Sequence, residues 1–278
     1  MAYLKKRVEF GSINPFNMLI AYNTPKNFSV EDEPPLHIHE GFEIYFNISG
    51  NVSFVVENRT YPISSGDVIL TKPFEYHHCI YHDNSEHEHY CLQFSASESD
   101  ELFKDFYERK KGVGNHVRLT REEADSLKRH IDILRSDDTV TDLDRYYHFI
   151  RILQITTSKE SFDIEESLEN THENLRKVLN RISSSYSEQL TVENLASEIF
   201  VSVNTLERYF RDYLNITPRE YIKRKRLSEA MTILDGRYSV SQVAYKCGFS
   251  NTSNFTEIFK KEFGITPYQH IKANSKKY

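Results

Sequence analysis

Leu195-Ala196, Ser202, Leu206, Phe210, Asn215-Ile216-Thr217-Pro218 and Tyr221-Ile222 set out a pattern that the chain then repeats. The second copy is Val243-Ala244, Asn251, Phe255, Phe259, Gly264-Ile265-Thr266-Pro267 and His270-Ile271. One residue is inserted near Gly248-Phe249, after which the copies keep a constant offset of 49. Self-similarity at such a distance marks one supersecondary unit used twice. The rest of the 278-residue chain is read outward from this stretch, Thr191 to Ile271.

Each copy reads as a helix-turn-helix. Thr191 is expected to cap a helix from Val192 to Ile199, whose Leu195-Ala196 faces inward. Ala at that crossing leaves room for a second helix to pack closely. Ser202 caps the next helix, on which Leu206 and Phe210 point inward at i and i+4. Val203, Asn204, Glu207, Arg208 and Arg211 are left facing outward. Polar groups near the N-terminal end of such a helix can meet base edges in the major groove. Thr217-Pro218-Arg219-Glu220 reads as a capping box with Pro at the first helical position, where the absent N–H costs nothing. Thr266-Pro267-Tyr268-Gln269 repeats it.

The helix opened by Pro218 is expected to run to about Leu234, with Leu227, Ala230 and Leu234 on its apolar side. At 1.5 Å per residue it spans roughly 25 Å. With the widths of the two units added, that suits readers set in successive major grooves. Asp235-Gly236 stops the helix, and Val240, Val243, Ala244 and Cys247 support the second unit. Asn251 caps the second reader, with Phe255 and Phe259 inward and Thr252, Ser253, Thr256 and Glu257 outward. Leu175, Val178, Leu179 and Ile182 space one further helix ahead of both units.

Residues 172–274 resemble the AraC/XylS-type DNA-binding domain throughout. The matches are Leu195-Ala196, Ser202-x3-Leu206-x-Arg208-x-Phe210, Pro218-x2-Tyr221, Arg226-Leu227-x2-Ala230, Val243-Ala244-x3-Gly248-Phe249 and Phe259-Lys260-x2-Phe263-Gly264-x-Thr266-Pro267. The resemblance implies a transcription regulator that binds double-stranded DNA. It also implies Asn204, Glu207 and Arg208 as base readers of the first unit, and Ser253, Thr256 and Glu257 as those of the second. Arg211, Lys223, Arg224, Lys260 and Lys261 are expected on phosphates, which fix register without reading sequence. Two departures stand out: Phe200-Val201 replaces a Gly-bearing first turn, and Glu257 stands where many relatives have Arg. A carboxylate there can accept from a cytosine amino group but cannot hold a phosphate.

Charge follows the same division. From His172 to Tyr278 there are 17 Lys+Arg against 11 Asp+Glu, a net of +6, while the first 171 residues carry 18 against 30, a net of −12. A basic C-terminal third on an acidic protein fits a nucleic-acid-binding end joined to something else. No apolar run approaches the roughly 18–20 residues of a membrane span. Met1-Ala2-Tyr3-Leu4-Lys5-Lys6-Arg7 lacks the apolar segment of a secretory signal. Cys79, Cys91 and Cys247, with no CxxC spacing, are expected as reduced thiols in a cytoplasmic protein.

From Phe42 to Phe94 short alternating stretches are separated by turns, as in a sandwich or small barrel. Phe42, Ile44, Phe46 and Ile48 alternate before Ser49-Gly50-Asn51, and Val52, Phe54 and Val56 alternate after it. Tyr61 to Ile63, Val68 to Thr71, His77 to Tyr81 and Glu88 to Phe94 supply the other strands, with Asp83-Asn84-Ser85-Glu86 as a polar link. His37-x-His39-x3-Glu43-x6-Gly50, followed by Gly66-x6-Pro73-x4-His78, resembles the two signature motifs of the cupin barrel. That resemblance implies His37, His39, Glu43 and His78 as holders of a divalent metal, a donor set suited to Zn, Fe, Ni or Mn. The other reading of these residues is the polar lining of an organic-ligand pocket. Glu31, Glu75 and His82 depart from the cupin motifs, and His77, His82, His87 and His89 are expected on strand surfaces or loops.

Between the two ends, Ser97 to Lys111 is expected as a helix with acids early and bases late. Ala124, Leu127, Ile131 and Leu134, then Leu143, Tyr146, Ile150 and Leu153, mark two amphipathic helices. Their stripes either cover the barrel or, as in similar proteins, dock on a second copy to form a homodimer. The acidic segment Lys159 to Glu173 reads as a linker.

The expected fold is α+β and multidomain. It comprises a cupin-like sensor barrel (1–96), a helical dimerisation segment with linker (97–169) and an all-α double helix-turn-helix domain (170–278). The expected function is DNA-binding regulation, without enzymatic activity, controlled by a small polar or sugar-like effector in the barrel. RNA polymerase is a further partner if the protein activates. The alternative is a metal-dependent cupin enzyme or metal sensor fused to a DNA-binding domain.

Overall fold

The computed structural model describes residues 5–9, 16–24, 36–82, 86–96, 103, 107–136, 140–157, 173–214 and 216–274. The chain divides into two compact units, Met1–Asn170 and Thr171–Tyr278. Glu31, residues 83–85 of the polar link, most of the expected helix 97–111, all but Glu173 of the acidic linker, and Asn215 lie outside the described residues.

The first unit contains two antiparallel sheets. β1 (Lys5–Val8), β2 (Met18–Asn23), β3 (Phe42–Ser49), β6 (Asp67–Thr71), β8 (Glu88–Phe94) and β9 (His116–Arg118) form the larger, in the order β1-β2-β8-β3-β6-β9. β4 (Val52–Val56), β5 (Arg59–Ile63) and β7 (His77–Tyr81) form the smaller, in the order β5-β4-β7. The β3–β4 turn needs its glycine twice over. Gly50 has φ +115°, and a Cβ there would lie 2.4 Å from Nδ1 of His87.

The large sheet is buried on both faces, and strand alternation sorts its residues. Phe42, Ile44 and Phe46 of β3, with Leu92 and Phe94 of β8, pack on α1 (Arg121–Arg135) and α2 (Asp142–Thr157) through Leu127, Ile131, Leu134, Phe149, Ile152 and Leu153. Tyr45 and Ile69 point the other way and pack with Val52, Phe54, Val56, Tyr61, Ile63 and Cys79 of the small sheet. The apolar series Phe42–Ile44–Phe46 therefore serves the helices, and the intervening Glu43, Tyr45 and Asn47 line the space between the sheets.

This packing changes the reading of the middle segment. Residues 97–169 form no separate unit, because α1 and α2 share one core with the large sheet. The buried face of α2 is Phe149, Ile152, Leu153 and Thr156; Leu143 is 78% exposed. Covering six strands takes a wider apolar face than a helix seam does, and that turns the stripe about the axis. Of the expected helix 97–111 the described residues show Phe103 in a 3-10 turn and Tyr107-Glu108 as α-helix, and the chain then turns through Arg109 to Gly112. Buried Glu75 captures that turn. Its carboxylate accepts from Lys72 N, Gly112 N, Asn115 Nδ2 and Arg109 Nη2, each at 2.9 Å. A glycine at 75 would leave those donors unpaired.

The second unit is helical: α3 (Glu173–Ser185), α4 (Val192–Glu198), α5 (Val203–Leu214), α6 (Pro218–Ile233), α7 (Val240–Lys246), α8 (Thr252–Phe263) and α9 (Pro267–Asn274). Leu195, Ala196, Leu206, Phe210 and Tyr221 are buried in its first half, and Val243, Ala244, Cys247, Phe255 and Phe259 in its second. The three cysteines are free thiols.

Candidate functional site

The helix-turn-helix caps form where the sequence places them. Thr191 Oγ1 accepts from Asn194 N at 3.1 Å, Ser202 Oγ from Thr205 N at 3.1 Å, and Asn251 Oδ1 from Asn254 N at 2.7 Å. These caps begin α4 and the two reader helices, α5 and α8. The capping boxes differ. Thr266 and Gln269 exchange both bonds: Gln269 N to Thr266 Oγ1 at 3.2 Å and Thr266 N to Gln269 Oε1 at 2.8 Å. At the joint Thr217–Glu220 only Glu220 N to Thr217 Oγ1 forms, at 3.2 Å. The Glu220 carboxylate turns instead to Lys223 and to Arg224 Nε, the latter at 2.9 Å. Burial pushes that carboxyl up, but the hydrogen bonds from Lys223 and Arg224 hold it below the usual range.

Among the expected base readers, Asn204, Arg208, Ser253 and Glu257 are exposed, and Glu207 and Thr256 are half-buried. The Thr256 hydroxyl donates to Thr252 O at 2.9 Å, so only its lone pairs remain for a base. Arg211, Lys260 and Lys261 are exposed, as phosphate contacts require. Arg224 is different, with a side chain 15% exposed between Glu220 and Glu262, the latter at 3.8 Å. Lys223 is tied to Glu220. The basic run is thus spent mostly inside the unit. Lys225 pairs with Glu229 at 2.9 Å, and Arg226 donates to Tyr186 O and Glu188 O at 2.7 and 2.8 Å. A helix buried on several sides takes its cations as structural ties, which the spacing of the run does not reveal.

Between the sheets of the first unit lies a row of polar groups. At one end the ligand atoms of His37, His39, Glu43 and His77 all lie within 4.8 Å of one another. His78 is absent from this group, contrary to the motif reading. β7 pairs with β4 as Val56↔His77, Val55↔His78 and Phe54↔Cys79, which turns His77 and Cys79 inward and His78 outward. Oε2 of Glu43 accepts from Gln93 Nε2 at 2.8 Å and faces Nε2 of His39 at 3.1 Å; its Oε1 faces Nε2 of His77 at 3.6 Å. Burial raises the Glu43 carboxyl, but His77 and His39 beside it hold it well below the ordinary value.

At the other end Asn23 Nδ2 donates to His89 Nε2 at 2.7 Å, and His89 Nδ1 donates to His87 Nε2 at 2.6 Å. Tyr45 Oη lies 2.9 Å from the same His87 nitrogen. Burial pushes His87 down to about 4, and burial with the neighbouring His87 pushes His89 down to about 3. Both rings are neutral at pH 7. His77, His87 and His89, expected from sequence on strand surfaces or loops, are buried; His82 alone of the four is exposed, its Nε2 2.8 Å from Ser53 Oγ. Sequence position alone does not find them; the cross-strand register of β7 and β8 is what turns His77 and His89 inward.

Residues 30–153 match the AraC-like ligand binding domain, and residues 195–273 match the helix-turn-helix domain of a second family. The chain is 24% identical over 258 residues to the HTH-type transcriptional activator RhaS of Escherichia coli O81 (strain ED1a), covering 87% of this chain and 91% of RhaS. A solved AraC-type regulator from Chromobacterium violaceum is 28% identical over 37% of this chain and 93% of its own, with a TM-score of 0.35. ToxT from Vibrio cholerae is 15% identical, covering 93% of this chain and 98% of its own, with a TM-score of 0.37. The chain thus carries an AraC-like ligand-binding domain followed by a helix-turn-helix domain, the two parts of an AraC-type transcriptional regulator, and is homologous to such regulators over most of its length.

Proposed function

We propose that a small polar, sugar-like effector enters the space between the two sheets and controls how the protein engages its operator. One observation carries this reading: Asn23 Oδ1, Asn47 Oδ1 and Thr71 Oγ1 are buried without hydrogen-bond partners. All three stand at positions of the large sheet that share a face with Tyr45, as the pairings Asn23↔His89, Asn47↔His89 and Glu43↔Thr71 require. Orphaned buried oxygens cost about 1–3 kcal/mol each. A hydroxyl-rich ligand supplies the missing donors. Neutral His87 and His89 add hydrogen-bonding capacity without charge, which suits an uncharged ligand.

The protein is a cytoplasmic regulator rather than an enzyme, and among the described residues no helix is long and apolar enough to cross a membrane. It works as a homodimer through the outer face of α1 and α2, where Leu143 and Tyr147 are exposed beside the His130–His148 pair. By analogy with the activator RhaS, it recruits RNA polymerase. Asn204, Glu207, Arg208, Ser253, Thr256 and Glu257 read bases, and Arg211, Lys260 and Lys261 hold phosphates.

DNA selected from a random pool identifies the operator, and a panel of sugars and polyols is then titrated into the complex. An effector that shifts operator affinity or dimerisation in the native chain, and fails to do so in Asn47→Leu with operator binding intact, supports the proposal. A panel that changes neither quantity removes the sensing half.

A further inference from the structure

We propose that two copies of this chain bound in tandem on DNA touch head to tail, the turn of the first helix-turn-helix of one against the α6–α7 loop of the other. The internal repeat carries this, because it contains the same kind of contact once already. The turn of the second helix-turn-helix is closed by the loop that follows α3. A Cβ on Gly248 would lie 2.9 Å from both Tyr186 O and Ser187 O, and Arg226 fastens that loop by donating to Tyr186 O and Glu188 O. α3 and α6 each stand ahead of one helix-turn-helix. Carried forward by one step, the contact seats the loop that follows α6 on the first turn of another pair. Within residues 173–274 the step is taken once, and both surfaces that a second step would use are bare. Asp235 to Ser239 are all exposed, as are Ser197, Glu198 and Phe200. Phe200 is a bulky apolar residue held at φ +58° with its ring in solvent, a strain that a partner's surface explains.

The two surfaces are complementary in charge and in shape of side chain. Beside the first turn, Glu188 and Glu198 share the single guanidinium of Arg181, which leaves a carboxylate in excess. At the α6–α7 loop, Arg237 and Lys246 stand with one carboxylate, Asp235, which leaves a cation in excess. The Arg237 side chain is 77% exposed, and Lys246 Nζ lies 4.6 Å from the centroid of the Tyr238 ring. A tyrosine face beside a guanidinium receives a phenylalanine ring and a carboxylate together. Within the chain a glycine lets two backbones meet at the turn; between copies the Phe200 ring does the reaching. The contact joins unlike surfaces, so it sets successive copies in one direction along the duplex. One ring and one ion pair bury far less than the area a stable complex needs, so the contact acts only between copies that DNA already holds side by side.

With the readers of one chain in successive major grooves, the next copy in the same orientation lies two helical turns on, about 21 bp. The test titrates the full chain onto duplexes that carry the operator selected from a random pool. One duplex carries it once, one carries it twice in direct repeat at about 21 bp, and one has the second copy displaced by about half a turn. The native chain is expected to fill the in-phase pair cooperatively, binding the second site at least about tenfold tighter than the single site, and to lose this on the displaced pair. Phe200→Gly and Arg237→Glu, each checked for its fold by circular dichroism, are expected to lower the cooperativity at least about fivefold with single-site affinity unchanged. Independent filling of the in-phase pair by the native chain, or cooperativity that survives displacement, overturns the proposal. Unchanged cooperativity in either folded variant overturns it too and assigns the coupling to the outer face of α1 and α2. So does a matching loss of single-site affinity, which places the residue on DNA. All of these titrations are made without effector, so failure here leaves the sensing reading standing.

Discussion

At the turn of the second helix-turn-helix Gly248 adopts φ +82°, and at the matching turn of the first Phe200 adopts φ +58°. The two turns close with the same hydrogen bonds. Phe200 N donates to Ser197 O and Val201 N to Ala196 O, while Gly248 N donates to Tyr245 O and Phe249 N to Ala244 O, all at 3.0–3.1 Å. The left-handed residue is therefore imposed by the crossing of two helices and not by the residue that occupies it. The surroundings differ. A Cβ on Gly248 would lie 2.9 Å from both Tyr186 O and Ser187 O, whereas Phe200 is 96% exposed. One turn is crowded by backbone and the other is open.

The largest expected effect follows from that crowding. Gly248→Val adds left-handed strain, of order 1–3 kcal/mol, to a collision with two carbonyls that also receive or flank the Arg226 hydrogen bond. A loss of more than about 3 kcal/mol is expected, seen as a collapsed thermal transition of the 171–278 unit. Phe200→Val keeps a side chain at the same open position and changes stability by about 0.5 kcal/mol or less. Equal losses in the two variants would mean that crowding does not distinguish the turns.

Next in size is recognition. Arg208→Ala is expected to cost roughly 1–3 kcal/mol at one base position and to relax specificity there. Glu257→Ala removes an acceptor that suits cytosine alone, so it relaxes one position while barely weakening other sequences. Lys260→Ala is expected to lower affinity for all sequences and reduce the salt slope by about one, and Arg224→Ala to leave the slope unchanged while lowering the melting temperature. Filter binding across salt concentrations separates the two. An Arg224→Ala variant with a flatter slope and native stability would return that residue to the phosphates.

The two joints give a smaller contrast. Thr266→Ala dismantles a reciprocal box and is expected to cost about 1–1.5 kcal/mol; Thr217→Ala removes a single bond and is expected to cost about 0.5–1 kcal/mol. Chemical denaturation at constant m-value resolves the order. The reverse order would show that Glu220 supports the cap in solution despite its ion pairs.

These contrasts mark what the residues alone reveal. Caps, inward phenylalanines and the repeat itself are legible because each depends on neighbours three or four positions away. The turn at Phe200 is visible only as a missing glycine, since its dihedral is set by tertiary crossing. Lys225 and Arg226 look solvated in a run of four cations, and their partners, Glu229 and the loop after α3, become evident only when α6 is packed. In the first unit, motif spacing selects His78, while cross-strand register selects His77. A one-residue choice on a strand exchanges the inside for the outside, and no local pattern of two adjacent histidines decides it. The strands β1, β2 and β9 escape a reading of the residues alone: β1 and β9, at four and three residues, are too short to show an alternation, and Met18 to Tyr22 of β2 is a continuous apolar run without one.

The smallest effect tests the open turn from the other direction. Replacing Phe200 by glycine relieves a left-handed conformation that costs a bulky residue about 1–2 kcal/mol. It also gives the unfolded chain more freedom, which offsets about 0.5–1 kcal/mol of the gain. The ring is nearly fully exposed, so its removal forfeits little burial. Phe200→Gly should therefore stabilise the unit by about 0.5–1 kcal/mol, a rise of a few degrees in melting temperature for a domain near a hundred residues. A fall of that size would mean that the ring rests on something in the folded protein, and the contrast between a crowded and an open turn would then be one between two crowded turns with different neighbours.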